Sequence, residues 1–397
     1  MPRSRLHRAV APALGLCLAA AVAGCGGGGA GGLGPPPDAG RSGDSGAQEL
    51  GFPGFATKNT TRIGGADPVA DTAAAALAAY PGAGQSPRAV ALAPKGDWRA
   101  ALASTSLVGR PLGAPVLLAG SDSLPDPTAA ALVALRPTGA AALGGAQVIR
   151  VGDAAAPPGR LRTITVRGRG SGPAALAAAV DRLRATAAGR PSASVVVVSQ
   201  DAPAFAMPAA AWAAKSGDPI LFVSRDAIPA ATRAALRAHG RPRIYVLGPP
   251  AVVSGRVLRG LGALGRARRI AGPDPVSSAI AFARFSDGPF GWRVVDPGHG
   301  LSFASTRRPL DAVAAAPLAA AGTYGPLLVV QRPAPLPRAL QQYLLDIQPG
   351  YTDDPVRGVY NHGWVIGDAQ AISIASQAQI DQLLEIAPVA GGSSPSS

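Results

Sequence analysis

Cysteine is almost missing from this 397-residue chain, and both copies, Cys17 and Cys25, fall within its first 25 residues. Beyond residue 25 no disulfide can form, no thiolate zinc cluster can assemble and no cysteine nucleophile exists. Histidine is nearly as scarce. His239, His299 and His362 lie in separate parts of the chain, outside any His-Glu-x-x-His pattern. No Gly-x-Ser-x-Gly elbow and no paired-carboxylate motif accompanies them. The sequence therefore nominates no catalytic residue, no metal-ligand set and no cofactor. Asp353-Asp354 beside Tyr351 reads as a solvated acidic loop. Gly168-Arg169-Gly170-Ser171-Gly172 has neither the third glycine of a dinucleotide fingerprint nor the Gly-Lys-Ser/Thr of a triphosphate loop.

What is present begins at the N-terminus. Arg3, Arg5 and Arg8 precede an apolar run from Ala9 to Ala21, and Val22-Ala23-Gly24-Cys25 closes it. Positive charge, a short apolar stretch and small residues, in that order, make a secretory signal peptide over residues 1–24. Ending on cysteine, it resembles the lipobox of bacterial lipoproteins. That resemblance implies lipidation of Cys25, with palmitate-like acyl chains, and a membrane-anchored chain on the extracytoplasmic face of the cell envelope. Residues 25–57 are rich in Gly, Pro, Ser and Asp and have little to bury, so a disordered tether is expected there. Residues 389–397 read as a similar tail.

Acidic charge is also in deficit. The formal net charge is +14, and removal of the three leader arginines leaves +11. An exported protein this basic is drawn to polyanions, which outside a bacterium are wall polymers and lipid headgroups. Export, and the lack of aromatic-interleaved basic motifs, argue against nucleic acid as a partner.

The body repeats about every 104 residues. A short apolar strand entered through proline occurs as Ala114-Pro115-Val116-Leu117-Leu118, Asp218-Pro219-Ile220-Leu221-Phe222 and Tyr324-Gly325-Pro326-Leu327-Leu328. An earlier strand is expected at Arg88–Ala93, Ser194–Ser199 and Trp292–Asp296. A later one ends at Gly152, Gly248 and Gly367. Alanine-rich helices are expected at Trp98–Val108, Ala206–Lys215 and Leu310–Ala321, and others at Pro127–Leu135, Pro229–Ala238 and Leu336–Leu345. Each copy opens with a further helix, near Val69–Ala79, Pro173–Thr186 and Val276–Phe285. Continuously apolar strands alternating with helices predict parallel sheets covered on both faces. The predicted fold class is α/β, with three tandem Rossmann-like or Toprim-like modules at 58–160, 161–265 and 266–388, the last carrying an insertion at 346–362.

These motifs resemble the cell-wall-binding repeat type 2 family. Its opening element is similar to Arg62-Ile63-Gly64-Gly65-Ala66-Asp67 and Arg269-Ile270-Ala271-Gly272-Pro273-Asp274. Its Asp-Ala-Leu-Ala-Ala-Ala-Pro-Leu run is nearly intact at Asp311-Ala312-Val313-Ala314-Ala315-Ala316-Pro317-Leu318, and Asp97-Trp98-Arg99-Ala100 is its first-copy form. The second copy diverges, offering Arg167 to Gly172 as its opening element, and the family's second glycine is Asp153, Pro249 or Asp368. The resemblance implies a pseudo-threefold unit that holds an anionic cell-wall polymer noncovalently. Arg62, Arg269, Pro115, Pro219, Pro326, Gly152, Gly248 and Gly367 are its structural signature.

Open parallel sheets place ligands outside the carboxyl ends of their strands. The polymer-binding candidates chosen on that rule are Lys95, Arg99, Arg225, Arg307, Arg308 and Arg332. The expected function is a membrane-tethered lipoprotein that grips wall polymer and is not an enzyme. A solute-binding receptor lipoprotein and a helper of wall remodelling are the competing readings. Oligomeric state is not readable from the sequence.

Overall fold

The computed structural model describes residues 55–82, 84–321 and 325–389. The leader, Cys25, the tether as far as residue 54, Tyr324 and the tail from residue 390 lie outside the described residues. Strands β1 (Phe55–Ala56) and β2 (Thr60–Ile63) come first, and β1 overlaps the last residues assigned to the tether. Then β3 (Val90–Pro94), β4 (Val116–Ala119), β5 (Val148–Val151) and β6 (Thr163–Val166) form a parallel sheet in the order β4-β3-β5-β6. A second parallel sheet, β10-β9-β7-β8, contains β7 (Ser194–Ser199), β8 (Ile220–Val223), β9 (Arg243–Leu247) and β10 (Arg266–Ile270). The third copy contributes β11 (Gly300–Ser305), β12 (Leu327–Val330), β13 (Gly350–Tyr351), β14 (His362–Ile366) and β15 (Ala387–Pro388).

The third sheet runs β1-β2-β14-β11-β12, with β1 antiparallel on its edge and the other four strands parallel. It is thus completed by the beginning of the chain. The same displacement recurs in every copy. The opening strand of each repeat pairs with the copy before it, as β6 does with β5 and β10 with β9. The helix that follows crosses to the next sheet: Pro68–Ala79 packs on β4, Pro173–Ala188 on β8 and Pro275–Arg284 on β12. Each copy therefore holds both neighbours, and β2 closes the ring.

Alanine sets the spacing at the centre. The helix Asp311–Ala321 packs against Ala209–Ser216, which in turn meets the 3-10 turn Thr105–Leu107 at the end of Trp98–Ser104. Ala209, Ala210, Ala211, Ala312, Ala314 and Ala315 are fully buried there. Small side chains let the helices approach closely, at the cost of little apolar area per residue. Gly109 shows how closely: a Cβ on it would stand 2.7 Å from the carbonyl oxygen of Ala214. Larger side chains fill the joint between the second and third copies, where the Trp212 ring lies 4.7 Å from Phe290 and 5.4 Å from Trp292. One continuous core runs through those two copies.

One expected strand is not a strand. Trp292–Asp296 is a loop, and β11 lies several residues later at Gly300–Ser305. The loop is bound to the end of the preceding helix, since Arg293 N donates to the Phe285 carbonyl (3.1 Å) and Val294 N to that of Ala283 (2.9 Å). Its apolar residues serve tertiary packing instead, with Trp292 and Val294 buried. Two helices, Gly255–Gly262 and Ile374–Leu384, follow the glycine-ended strands and were not expected. Each is marked by a serine cap, Ser254 accepting from Val257 N and Ser373 from Ser376 N.

Candidate polymer-binding surface

The residues singled out by the repeat motifs build the frame. Pro115, Pro219 and Pro326 bring in the second strand of each copy, and their carbonyls accept from Ala91 N (2.9 Å), Val196 N (3.0 Å) and Ser302 N (3.0 Å). At the other end, Gly152, Gly248 and Gly367 have φ of 65°, 111° and 91°. Their amides donate to Val166, Ile270 and Ile63, the last residues of the opening strands. Positive φ at these positions turns the chain off the sheet just after a ladder bond, a conformation that suits glycine.

Arg62 and Arg269 secure the same turns. The buried Arg62 donates from Nη1 to the carbonyls of Gly367 (2.7 Å) and Asp368 (2.9 Å), from Nη2 to Ile372 (2.7 Å) and from Nε to Gln377 (2.9 Å). Burial lowers its pKa to about 10, against the pull of Asp368 and Asp71, so it stays charged at neutral pH. Arg269 does the equivalent with Gly248 (2.5 Å) and Val253 (2.6 Å).

Four of the six candidate cations form a pattern. Lys95 follows the last residue of β3, while Arg225, Arg307 and Arg332 each lie two residues past β8, β11 and β12; all four are exposed. Arg225 is partly engaged, donating to the Ala251 carbonyl (3.1 Å) and pairing with Asp226 (3.0 Å). Beside Lys95 a groove of about 360 Å³ runs between the first and third copies, walled by Leu118, Pro125, Pro127 and Leu310, with Asp67 at its edge. Apolar walls with a cation alongside suit a sugar ring bearing an acidic group.

The other two candidates join copies together. Arg99 donates from Nε to the Gln200 carbonyl (2.6 Å) and lies over the Trp98 ring at 4.9 Å, tying the first copy to the second. Arg308 ties the third copy to the first. Its guanidinium pairs with Asp71, with Asp311 (3.0 Å) and with Asp368 (3.3 Å), and its side chain is 17% exposed. Three carboxylates therefore occupy Arg308, which is a correction to its expected polymer-facing role. Asp71 and Asp311 are fully buried. Burial pushes the Asp71 pKa up, as does the neighbouring Asp311 charge, while Arg308 opposes both; Asp311 is likewise pushed up by burial. One arginine cannot neutralise two buried carboxylates and a third at the rim, so the pair retains a proton at neutral pH.

The sequence offered only fragments of this cluster. Asp97 and Asp311 share one motif position, yet Asp97 merely caps a helix, accepting from Arg99 N at 2.9 Å. Asp71 carried no signal of this role, because its charged partners Arg308 and Asp311 are more than 200 residues away.

Comparison with known proteins follows the same lines. Residues 169–258 match the family model of Cell wall binding domain 2 (CWB2). The matched residues lie in the second copy, the one whose opening element departs most from the family pattern. No curated protein matches the chain by sequence. Among solved structures, Cwp6 from Clostridium difficile is similar with a TM-score of 0.65 and 16% identity, over 82% of this chain and 48% of that one. Cwp8 from Clostridium difficile is similar with a TM-score of 0.61 and 16% identity, over 83% and 52%. At that identity the likeness concerns the fold, and the chain spans about half the length of either structure. The α/β architecture of three parallel sheets is consistent with tandem CWB2 modules.

Proposed function

We propose that this protein is a lipid-anchored envelope protein whose three modules bind an anionic cell-wall polymer without catalysis. The observation that carries the reading is the position of Lys95, Arg225, Arg307 and Arg332, exposed and within two residues of strand carboxyl ends in all three sheets. The CWB2 match over residues 169–258 supports a wall ligand. The net charge of +11 left when the three leader arginines are removed from the full +14 supports an anionic one. Each contact is a weak, exposed, charge-assisted hydrogen bond, and affinity comes from several held in fixed relation. Cys25 supplies the anchor in this reading, because acyl chains at about 0.8 kcal/mol per buried methylene hold more firmly than surface charge.

Adsorption of the mature chain to purified walls, before and after chemical removal of their anionic polymer, tests the proposal across a salt series. Retention should fall with salt, because exposed pairs are screened within about 8 Å at physiological ionic strength. Retention on stripped walls equal to that on intact ones would exclude an anionic polymer as the ligand.

A further inference from the structure

At the opposite edge of the second sheet, where its strands begin, lies a cavity of about 780 Å³ that the polymer reading does not use. Four guanidinium groups line it. Arg110 comes from the first copy, Arg184 from the helix Pro173–Ala188, Arg190 from the turn after that helix, and Arg243 from the first residue of β9. Among the described residues none of the four takes part in an ion pair. Nε of Arg184 is buried and without a hydrogen-bond partner. Burial lowers the Arg184 pKa and the nearby charge of Arg190 adds to that, while Asp218 and Asp181 oppose it. Guanidinium groups crowded together without acceptors are costly unless an anion joins them.

The acidic groups nearby are already committed. Asp218 accepts from Trp212 Nε1 at 2.8 Å and from the Ser192 hydroxyl. Asp181 lies 2.9 Å from His239 Nε2, and His239 Nδ1 lies 2.7 Å from the Ser192 carbonyl. A carboxylate and a carbonyl can only accept, so the ring donates from both nitrogens and is an imidazolium. It neutralises Asp181, with side chains only 1% and 5% exposed. Asp287, the acidic group near Arg243, is held by Arg268 (2.8 Å) and the Tyr245 hydroxyl (2.9 Å), which leaves Asp218 as the one carboxylate, among the described residues, lining the cavity with four arginines. The arrangement belongs to the second copy, since Ala114 and Gly325 occupy the position of Asp218 ahead of the other two strand-entry prolines.

We infer that this cavity is a binding site for a small, multiply charged phosphate-bearing ligand, of which diphosphate is the simplest. Each guanidinium presents a planar fork that matches two phosphate oxygens, and the volume lies within the range of small-ligand sites, roughly 300–1,000 Å³. A free phosphate compound and a phosphodiester segment of a wall polymer offer the same chemistry.

Isothermal titration of the mature chain with inorganic pyrophosphate, against sulfate at matched ionic strength, is the test. Saturable 1:1 binding that prefers pyrophosphate is expected, and it should weaken at least tenfold in Arg190→Ala/Arg243→Ala. Arg307→Glu/Arg332→Glu, on the other edge, should leave pyrophosphate binding unchanged while wall adsorption falls. Failure of the polymer reading and failure of this site are therefore separable. Competition by a soluble polymer fragment would identify the polymer's phosphodiester as the source, and its absence a free phosphate compound. No saturable binding, equal binding of sulfate, or full affinity in Arg190→Ala/Arg243→Ala would overturn the inference.

Discussion

Arg150 stands opposite Thr165 in the first sheet, at the register where the second sheet sets Val246 against Arg269 and the third sets Val365 against Arg62. The arginine has moved one strand over. In the second and third sheets it reaches from the opening strand to carbonyls after the neighbouring glycine turn. In the first, Arg150 bonds the Ala154 carbonyl from within its own strand, through Nε (2.9 Å) and Nη2 (2.7 Å). The turn needs a guanidinium donor, and either strand of the pair can supply it.

Exchange of the pair tests this. Arg150→Val alone should lower stability by about 1–2 kcal/mol, because the Ala154 carbonyl loses its donor. Arg150→Val/Thr165→Arg, which restores the arrangement of the other sheets, should recover most of that loss in thermal unfolding. Arg62→Ala should cost more, on the order of 3 kcal/mol, since several buried acceptors lose one partner together. A double exchange no more stable than the single variant would show that the donor's position is fixed in each sheet.

Arg307 and Arg308 are adjacent but have separate tasks. Arg307→Glu should weaken wall adsorption with a stability change under about 0.5 kcal/mol, as for other exposed substitutions. Arg308→Ala strips the counter-charge from the buried, proton-sharing Asp71–Asp311 pair and should cost roughly 3–5 kcal/mol. Unfolding and adsorption measured on both variants separate the roles. Equal melting temperatures for the two would remove Arg308 from the joint between copies.

Because the folded pKa values of Asp71 and Asp311 are raised above the unfolded value of 3.8, the folded protein holds protons that the unfolded chain has released. Their contribution is fully present below pH 3.8 and declines as pH rises through the folded values. His239 adds to the same trend. Burial opposes its charge, but the Asp181 carboxylate and the Ser192 carbonyl outweigh that and raise its pKa. Its contribution is present below 6.5 and lost as pH rises through the folded value. Melting temperature should therefore fall between neutral and mildly alkaline pH. Asp311→Asn should flatten that fall, since it removes one titrating group and also the Asp311 charge that helps raise the Asp71 pKa, and His239→Gln, which removes one titrating group alone, should flatten it less. A melting temperature that rises with pH over this range would contradict the protonated pair.

The parts of the fold that the sequence announced are the ones built from local signals. Ser194–Ser199 is a strand because serine brackets four valines, and the proline-entered strands repeat at nearly constant spacing. β11 was missed because Gly300, Ser302 and Ser305 dilute its apolar pattern, whereas Trp292-Arg293-Val294-Val295 looks more strand-like and is not. The destination of the opening strands was illegible, because a strand's partner is chosen by the closing of the whole ring and leaves no local trace. The cationic cavity was hidden for a similar reason. Arg110, Arg184 and Arg243 are far apart in sequence and meet only where the first copy abuts the second. The exposed cations at the strand ends could be named from the sequence because the parallel-sheet rule specifies positions, whereas Arg99 and Arg308, chosen on the same rule, join one copy to another.

Ring closure through β2 carries the last prediction. Between Asn59 and Ile63 the strand takes the Gly363 amide onto the Asn59 carbonyl (2.8 Å) and the Gly367 amide onto that of Ile63 (2.9 Å). Asn59 also binds Asp381 through its own amide (2.7 Å), which draws the helix Ile374–Leu384 against the strand. Deleting residues 55–63 removes all of this together with Arg62. It leaves β14 as an open, apolar edge, the kind of surface that recruits another chain. The truncated protein should melt well below the intact one and form soluble oligomers or aggregates visible by size-exclusion chromatography. A peptide of residues 55–63 added in excess should partly restore the monomer, since strand addition to an open edge works between chains as well as within one. A truncated chain that stays monomeric with an unchanged melting temperature would mean that the third sheet holds without β1 and β2, and that closure contributes nothing to stability.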